Sequence, residues 1–309
     1  MKKISIVSGC FNEEENIPLL LTQLRDVVAK HSEYEFEIIV IDNASVDGSA
    51  AVLRSEAAHD PRLKVILNAR NFGHIRSPYY AMLQASGDAI IYLASDLQDP
   101  PVLISQFLEK WETGFKAVVA VKNTSEETPI FFFVRRCYYR LVNRLAEIET
   151  IQNFTGFGLY DRQIIDVCRK LNDPYPYFRG LIAEIGLPIA KIPYRQPLRK
   201  RGITKNNFYT LYDIAMLGIT NHSKVPLRLA AFLGFAMSLM SLFVAVGYLV
   251  YKLLFWQNLP VGLAPIVIGL FLFSSVQLFF IGILGEYIGA IHTQVLGRPL
   301  VVEKERINF

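Results

Sequence analysis

The chain has 309 residues, of which 52% are hydrophobic, with a mean hydropathy of +0.28 and a formal net charge of +4. This is too apolar for an ordinary water-soluble enzyme, and so small a net charge gives no reason to expect a nucleic-acid partner. The three cysteines, Cys10, Cys137 and Cys168, show neither CxxC nor metal-ligand spacing and read as reduced structural thiols.

Met1 to Glu15 does not read as a secretory signal. After Lys2-Lys3 the apolar run Ile4 to Val7 is far shorter than an h-region and meets an acid by Glu13, so this part of the chain is expected to stay in the cytoplasm. From there strand and helix patterns alternate. Strands are expected at Ile4 to Ser8, Glu37 to Ile41, Leu63 to Asn68, Ala89 to Leu93 and Ala117 to Lys122. Helices are expected at Ile17 to Lys30, Gly48 to Ala58, Ser77 to Ala85 and Pro100 to Thr113. The alternation predicts an α/β fold with a parallel, doubly wound sheet. No GxGxxG or P-loop is present, so a diphosphate would be held by metal and basic side chains.

The polar residues gather just beyond the strand ends. Phe11-Asn12-Glu13 follows the first strand and Asp42-Asn43 the second; a ring beside a carboxylate suits a nucleobase by stacking and by accepting its N–H groups. Asp42 equally suits a cap of the turn at Asp47-Gly48. The segment Ile90 to Pro101 ends an apolar strand in Ser95 to Asp99 and then Pro100-Pro101, with Asp99 suited to an N-cap. Read as extended, it points Asp96 and Gln98 to one side, as a hard divalent cation on a diphosphate requires. The alternative is that Asp96 only satisfies a turn. Ligands of open α/β sheets bind at this edge.

The apolar excess lies near the C-terminus. Leu229 to Tyr251 and Val261 to Gly285 are uncharged runs that each exceed the ~20 residues of a bilayer span, whereas the alternative is a buried core hairpin. Arg195 to Arg228 holds seven basic residues against the single acid Asp213, and Arg298, Lys304 and Arg306 follow the second run. Both termini are therefore expected on the cytoplasmic side. Pro129 to Ala146 mixes aromatic and aliphatic residues with Arg135, Arg136, Arg140 and Arg144, a composition suited to the lipid interface, and Asn206 to Thr220 is a second such stretch. Ordinary core packing with an exposed basic face is the alternative for both. The expected division is residues 1–205 as a catalytic domain, 206–228 as a juxtamembrane segment, 229–285 as a membrane hairpin (229–251 and 261–285) and 286–309 as a cytoplasmic tail.

Taken together, Phe-Asn-Glu-Glu, Ile-Asp-Asn-Ala-Ser-Val-Asp-Gly-Ser, Arg70-Asn71-Phe72-Gly73 and Ser-Asp-Leu-Gln-Asp-Pro-Pro resemble the motifs of family-2 glycosyltransferases of the GT-A fold. Arg201-Gly202-Ile203-Thr204-Lys205, the paired apolar runs and Gly285-Glu286-Tyr287-Ile288-Gly289 narrow the resemblance to the polyisoprenyl-phosphate glycosyltransferases. That resemblance implies a nucleotide-sugar donor, expected to be a UDP-hexose such as UDP-glucose, and a divalent cation, Mg²⁺ or Mn²⁺. It also implies a polyprenyl phosphate acceptor in the inner membrane and a homo-oligomer, a tetramer in relatives. It places Phe11, Glu13 and Asp42 at the nucleoside, Asp96 and Gln98 at the metal and diphosphate, and Arg201 and Lys205 near phosphates. Lys122 stands where the family usually has arginine and, with Arg135 and Arg136, is assigned to the acceptor phosphate. A solvated basic face beside anionic lipid is the alternative for Arg201 and Lys205.

Two positions depart from the family's pattern. Ala94 replaces the first acid of Asp-x-Asp, and Gly156 stands where the family carries an aspartate with a base role. These departures motivate a second functional class, a non-catalytic membrane protein that binds nucleotide sugar or lipid phosphate. Chemistry favours the enzyme. A phosphate monoester has its second pKa near ~6 and needs no base at neutral pH; it needs placement and charge screening.

Overall fold

A computed structural model describes residues 1–123, 151–197, 216–217, 220, 223–255 and 263–309. Among them run β1 (Lys2–Cys10), α1 (Ile17–Val28), β2 (Tyr34–Asp42), α2 (Ser49–His59), β3 (Leu63–Asn68), α3 (Gly73–Gln84), β4 (Ala89–Ala94), a 3₁₀ turn (Pro101–Leu103), α4 (Ile104–Glu112) and β5 (Ala117–Lys122). There follow β6 (Phe154–Asp161), α5 (Arg162–Leu171), α6 (Phe178–Glu184), β7 (Ile189–Tyr194), α7 (Val225–Leu254), α8 (Leu263–Leu296) and β8 (Glu303–Ile307). The interfacial candidate 129–146 lies outside the described residues, as do Cys137 and most of 206–228.

The strands form one sheet in the order β7-β5-β6-β4-β1-β2-β3-β8. Its centre, β4-β1-β2-β3, is parallel, and these strands are near-continuous apolar runs because both faces are covered. One face packs Ile4, Ile6, Ile38 and Leu93 against α1 and α4; the other packs Val7, Ile39 and Ile90 against α3 and α5. The sheet is mixed rather than wholly parallel: β6 runs antiparallel between β4 and β5, and β8 antiparallel to β3. The interior strand β6 contains Gly158, where a Cβ would stand 2.4 Å from the Val118 carbonyl oxygen of β5, so only glycine admits this pairing. Cys10 and Cys168 are free thiols buried in the two layers, as their spacing suggested.

Helices α7 and α8 differ from the rest in leaving large apolar side chains in the open, with Phe232 74%, Phe235 71% and Phe271 68% exposed. Both are long and apolar enough to cross a bilayer. Helix α8 continues to Leu296, beyond the apolar run read from sequence, and the chain then returns to the sheet as β8. There Arg54 pairs with Glu305 at 2.7 Å, and Asn308 donates to the carbonyls of Ala57 and Leu63.

At the end of the sheet away from the polar rim, Glu37 of β2 is almost wholly enclosed, with its side chain 3% exposed. It accepts from Ser5 Oγ at 2.5 Å, Lys64 Nζ at 2.8 Å and Ser86 N at 2.7 Å, and Lys3 Nζ stands 3.2 Å away. Burial would raise its pKa, but the bonds from Lys64, Ser5 and Ser86 outweigh it and pull the carboxyl from 4.5 down to about 2. Between those values the unfolded chain binds the proton and the folded one does not, so this stabilisation is whole above pH 4.5 and drains away as pH falls towards 2. Glu37→Gln should cost roughly 3–5 kcal/mol at pH 7, because Lys64 and Lys3 lose their buried counter-charge. Thermal unfolding of wild type and variant between pH 2.5 and 7 should show the acid-side fall in midpoint to be shallower in the variant.

Candidate functional site

The C-terminal ends of β1, β2 and β4 form one rim. Cys10 is in register with Asp42, and Gly9 with Ala94. The loops beyond are tied to one another. Asn12 N donates to Ser45 Oγ at 2.8 Å, Val46 N to Asn12 Oδ1 at 2.9 Å, Glu13 N to Ser49 Oγ at 2.9 Å and Gly48 N to Glu14 Oε2 at 2.9 Å. Asn12 and Ala44 take left-handed φ of 57° and 60° to let both loops turn back over the strand ends. Phe11 is half-buried, and Glu13 is buried with its carboxylate accepting from Asn16 Nδ2 at 2.5 Å. Asp42 is buried and accepts from Ser45 N at 3.1 Å and from the Ser45 hydroxyl. The carboxylate thus closes the turn at Ser45, three residues short of Gly48.

Asn43 holds the neighbouring loop. Its Oδ1 accepts from Phe72 N at 2.8 Å and Asn68 Nδ2 at 3.2 Å, and its Nδ2 donates to Asn71 Oδ1 at 2.9 Å and the Gly73 carbonyl at 3.2 Å. This side chain sets the Arg70-Asn71-Phe72-Gly73 segment against the rim, with Arg70 stacked 4.1 Å from the centre of the Phe72 ring. The strand-end polarity of Asn43 was visible in sequence; its four partners were not, because they come from residues 25 to 30 positions away.

The segment after β4 corrects two expectations. It is a turn and not an extended run: Leu97 is left-handed at φ 60°, and Asp96 Oδ1 accepts from Gln98 N at 3.2 Å. Alternation therefore does not align Asp96 with Gln98; the turn presents the half-buried Asp96 at the rim. Asp99 does not cap a helix. Its carboxylate accepts from Ala94 N at 3.0 Å and the Tyr194 hydroxyl at 3.2 Å, and burial, with Asp96 nearby, pushes its pKa up to about 6. Ser95 Oγ donates to the Gly9 carbonyl at 2.8 Å, pinning this turn to β1. Lys122 ends β5, half-buried, and its charge reaches Asp99. Arg135, Arg136, Arg201 and Lys205 lie outside the described residues.

A cation would meet one side-chain carboxylate here, Asp96, with Gln98 two residues on; among the described residues no cluster of three potential ligands occurs. A protein contribution this small fits Mg²⁺ or Mn²⁺ bound chiefly by substrate phosphates and water. Beside this rim, α3, Tyr92 of β4, Thr155 and Gly156 of β6, and Pro176 to Arg179 enclose a cavity of about 200 Å³.

The glycosyl transferase family 2 domain matches residues 5–168. The chain belongs to glycosyltransferase family 2. It is 33% identical to the uncharacterized glycosyltransferase YkcC of Bacillus subtilis, over 96% of this chain and 92% of that one. It is 30% identical to the SfII prophage-derived bactoprenol glucosyl transferase of Shigella flexneri, over 98% of both. The glucosyl-3-phosphoglycerate synthase of Mycobacterium tuberculosis, solved with Mn²⁺, UDP and phosphoglyceric acid, superposes with a TM-score of 0.50 at 16% identity, covering 71% of this chain and 76% of that one. The fold is GT-A and the protein is a glycosyltransferase.

In this glycosyltransferase Asn43→Ala should unfold more readily by about 1–3 kcal/mol, since Phe72 N and Asn68 Nδ2 are left without their buried acceptor. Activity should fall further than stability, because the Arg70 to Gly73 loop loses its alignment. Thermal midpoints measured beside initial rates below the melting range would separate the two effects.

Proposed function

We propose that the protein transfers a hexose, glucose in the first instance, from a UDP-sugar to polyprenyl phosphate at the cytoplasmic face of the inner membrane, with inversion at the anomeric carbon. The observation that carries this reading is the likeness to a bactoprenol glucosyl transferase along 98% of both chains, which takes in the two long apolar helices as well as the GT-A domain. The product supplies a lipid-linked sugar for modification of cell-surface glycan. The catalytic domain and both termini face the cytoplasm, α7 and α8 span the bilayer, and the chain works as a homo-oligomer.

Phe11, Glu13 and Asp42 receive the nucleoside on the interlocked loops beyond β1 and β2. Asp96 would hold the divalent cation, with Gln98 near it in the same turn, and the cation would screen the charge growing on the leaving diphosphate. An oxygen of the dianionic acceptor attacks the anomeric carbon, and the bond to the diphosphate breaks with its electron pair leaving on UDP. The acceptor brings no proton that must be removed, so a glycine at position 156 is compatible with the reaction. Lys122, with Arg135 and Arg136, attracts the acceptor phosphate as fixed positive charge, and Arg201 and Lys205 meet the diphosphate.

Purified protein with Mn²⁺ or Mg²⁺, undecaprenyl phosphate and a panel of labelled UDP- and GDP-sugars should label the lipid with UDP-glucose. Lipid left unlabelled by every donor, while a known synthase labels it in parallel, refutes the reading. In the same assay Asp96→Ala should lower the rate about 10²–10³-fold at every metal concentration, as removal of a principal electrostatic group does. Ala94→Asp should tighten the metal requirement or leave the rate unchanged, and Arg201→Ala and Lys205→Ala should each cost at most a few kcal/mol of transition-state stabilisation, about one charge-assisted contact.

A further inference from the structure

The cavity lined by Tyr92, Gly156 and Arg179 has no assigned occupant. Its volume of about 200 Å³ is below the ~300–1,000 Å³ of pockets for whole drug-sized ligands, so it suits one chemical group. The lining decides which. It contains His74, Tyr92, Thr155, Tyr177 and Arg179 among apolar residues, and neither a carboxylate nor a side-chain amide. A neutral hexose ring is ordinarily gripped through its hydroxyls by such acceptors, whereas a guanidinium in a pocket free of carboxylates suits an anion.

Arg179 is half-buried and makes one long bond, 3.4 Å, to the Phe154 carbonyl; its carbon lies 5.9 Å from the Tyr177 ring centre. Among the described residues no carboxylate stands within ion-pair distance of it. Tyr92, which lines the cavity, lies on β4 four residues before Asp96, and the charges of Asp99, Asp96 and Arg179 all reach its buried hydroxyl. Arg179 lines the cavity together with Tyr92, and so brings a cation to it at the end of β4 that leads into the Asp96 turn. Gly156 opens it further, because a Cβ there would meet nothing nearer than the Tyr92 ring at 3.6 Å, and its φ of +106° disfavours any side chain.

Neighbours of both walls are tied to the end of α8 and to the chain just after it. Asp173, six residues before Arg179, accepts from Gln294 at 2.8 Å, and Arg76 on α3 donates to the Pro299 carbonyl. The cavity is thus held close to where the apolar helix rejoins the sheet.

We propose that this cavity takes the phosphate monoester of the lipid acceptor, with Arg179 as its ligand and the bare backbone of Gly156 providing its room. The inference rests on the acceptor reading above and adds to it a residue that sequence reasoning passed over. Two phosphates compete for such a cation, the acceptor monoester and the donor diphosphate, and binding measured without turnover distinguishes them. Full-length wild type, Arg179→Ala and Arg179→Lys in nanodiscs would be titrated with labelled undecaprenyl phosphate, with undecaprenol, and separately with UDP in the presence of Mn²⁺. Thermal midpoints would confirm that all three are folded. Arg179→Ala should bind undecaprenyl phosphate at least tenfold more weakly, closing most of the gap to undecaprenol, while UDP affinity stays within twofold; Arg179→Lys should recover part of the loss. Unchanged lipid-phosphate binding in Arg179→Ala overturns the proposal, and so does a loss that falls on UDP instead. A wild type that binds undecaprenyl phosphate through Arg179 but glycosylates nothing would refute the transferase reading and leave this site standing.

Discussion

The parallel pairing of β1 with β2 on one side and β4 on the other is the constraint on which the rest depends. Parallel neighbours end on the same edge, so each loop that follows them emerges at one rim, and at the strand-order reversal around β1 a crevice opens between those loops. Gly9 is the narrow point. A Cβ there would stand 2.9 Å from Pro78 Cγ of α3, so a glycine lets that helix seat directly on β1, where it forms one wall of the cavity. The Gly9 carbonyl also receives Ser95, so the same residue fixes both the helix wall and the turn that presents Asp96.

The parts legible from sequence are those whose signal is local. Strands buried on both faces are apolar runs, and β1 to β5 were all readable as such. The strands not anticipated carry mixed signals. β6, Phe-Thr-Gly-Phe-Gly-Leu-Tyr-Asp, is interrupted by two glycines, one demanded by the close approach of β5 and the other by a left-handed backbone. β8, Glu-Lys-Glu-Arg-Ile, is almost wholly charged because it lies at an edge, where charge blocks pairing with further chains. Site residues divide in the same way. Asp42 and Asp96 were singled out from their place at a strand end, but the Asp96 turn was mistaken for an extension because one left-handed residue, Leu97, decides it. Arg179 has no motif of its own and is recognisable only when the fold sets it across from Gly156.

The C-terminal return accounts for how an enzyme with an apolar anchor can keep its site at a constant place relative to that anchor. A single covalent link from α8 would leave the sheet free to swing. Instead β8 pairs with β3, Arg306 bonds to Gln84 of α3 at 3.0 Å, and Gln294 reaches Asp173. Exposed pairs such as Arg54 with Glu305 contribute little individually. The strand pairing, the buried Val301 and the Asn308 bonds supply the attachment, and the ion pairs set its register.

The uncharged residues at 94 and 156, Ala and Gly, bear on how two anionic substrates would be brought together. A transferase that joins a phosphate dianion to a sugar diphosphate must bring two anions together, and each carboxylate at the rim repels both. Position 94 contributes none, and neither does position 156. Asp99, with its pKa raised to about 6 by burial, spends its oxygens on Ala94 N and Tyr194, so its charge is bound up in shaping the turn. Asp96 stays half-buried at the rim, where on the proposed reading a divalent cation shared with the diphosphate would offset its charge. On the proposed reading the uncharged residues at 94 and 156 would lower the cost of assembling the two substrates, and an acceptor that arrives already ionised would leave a base no proton to take.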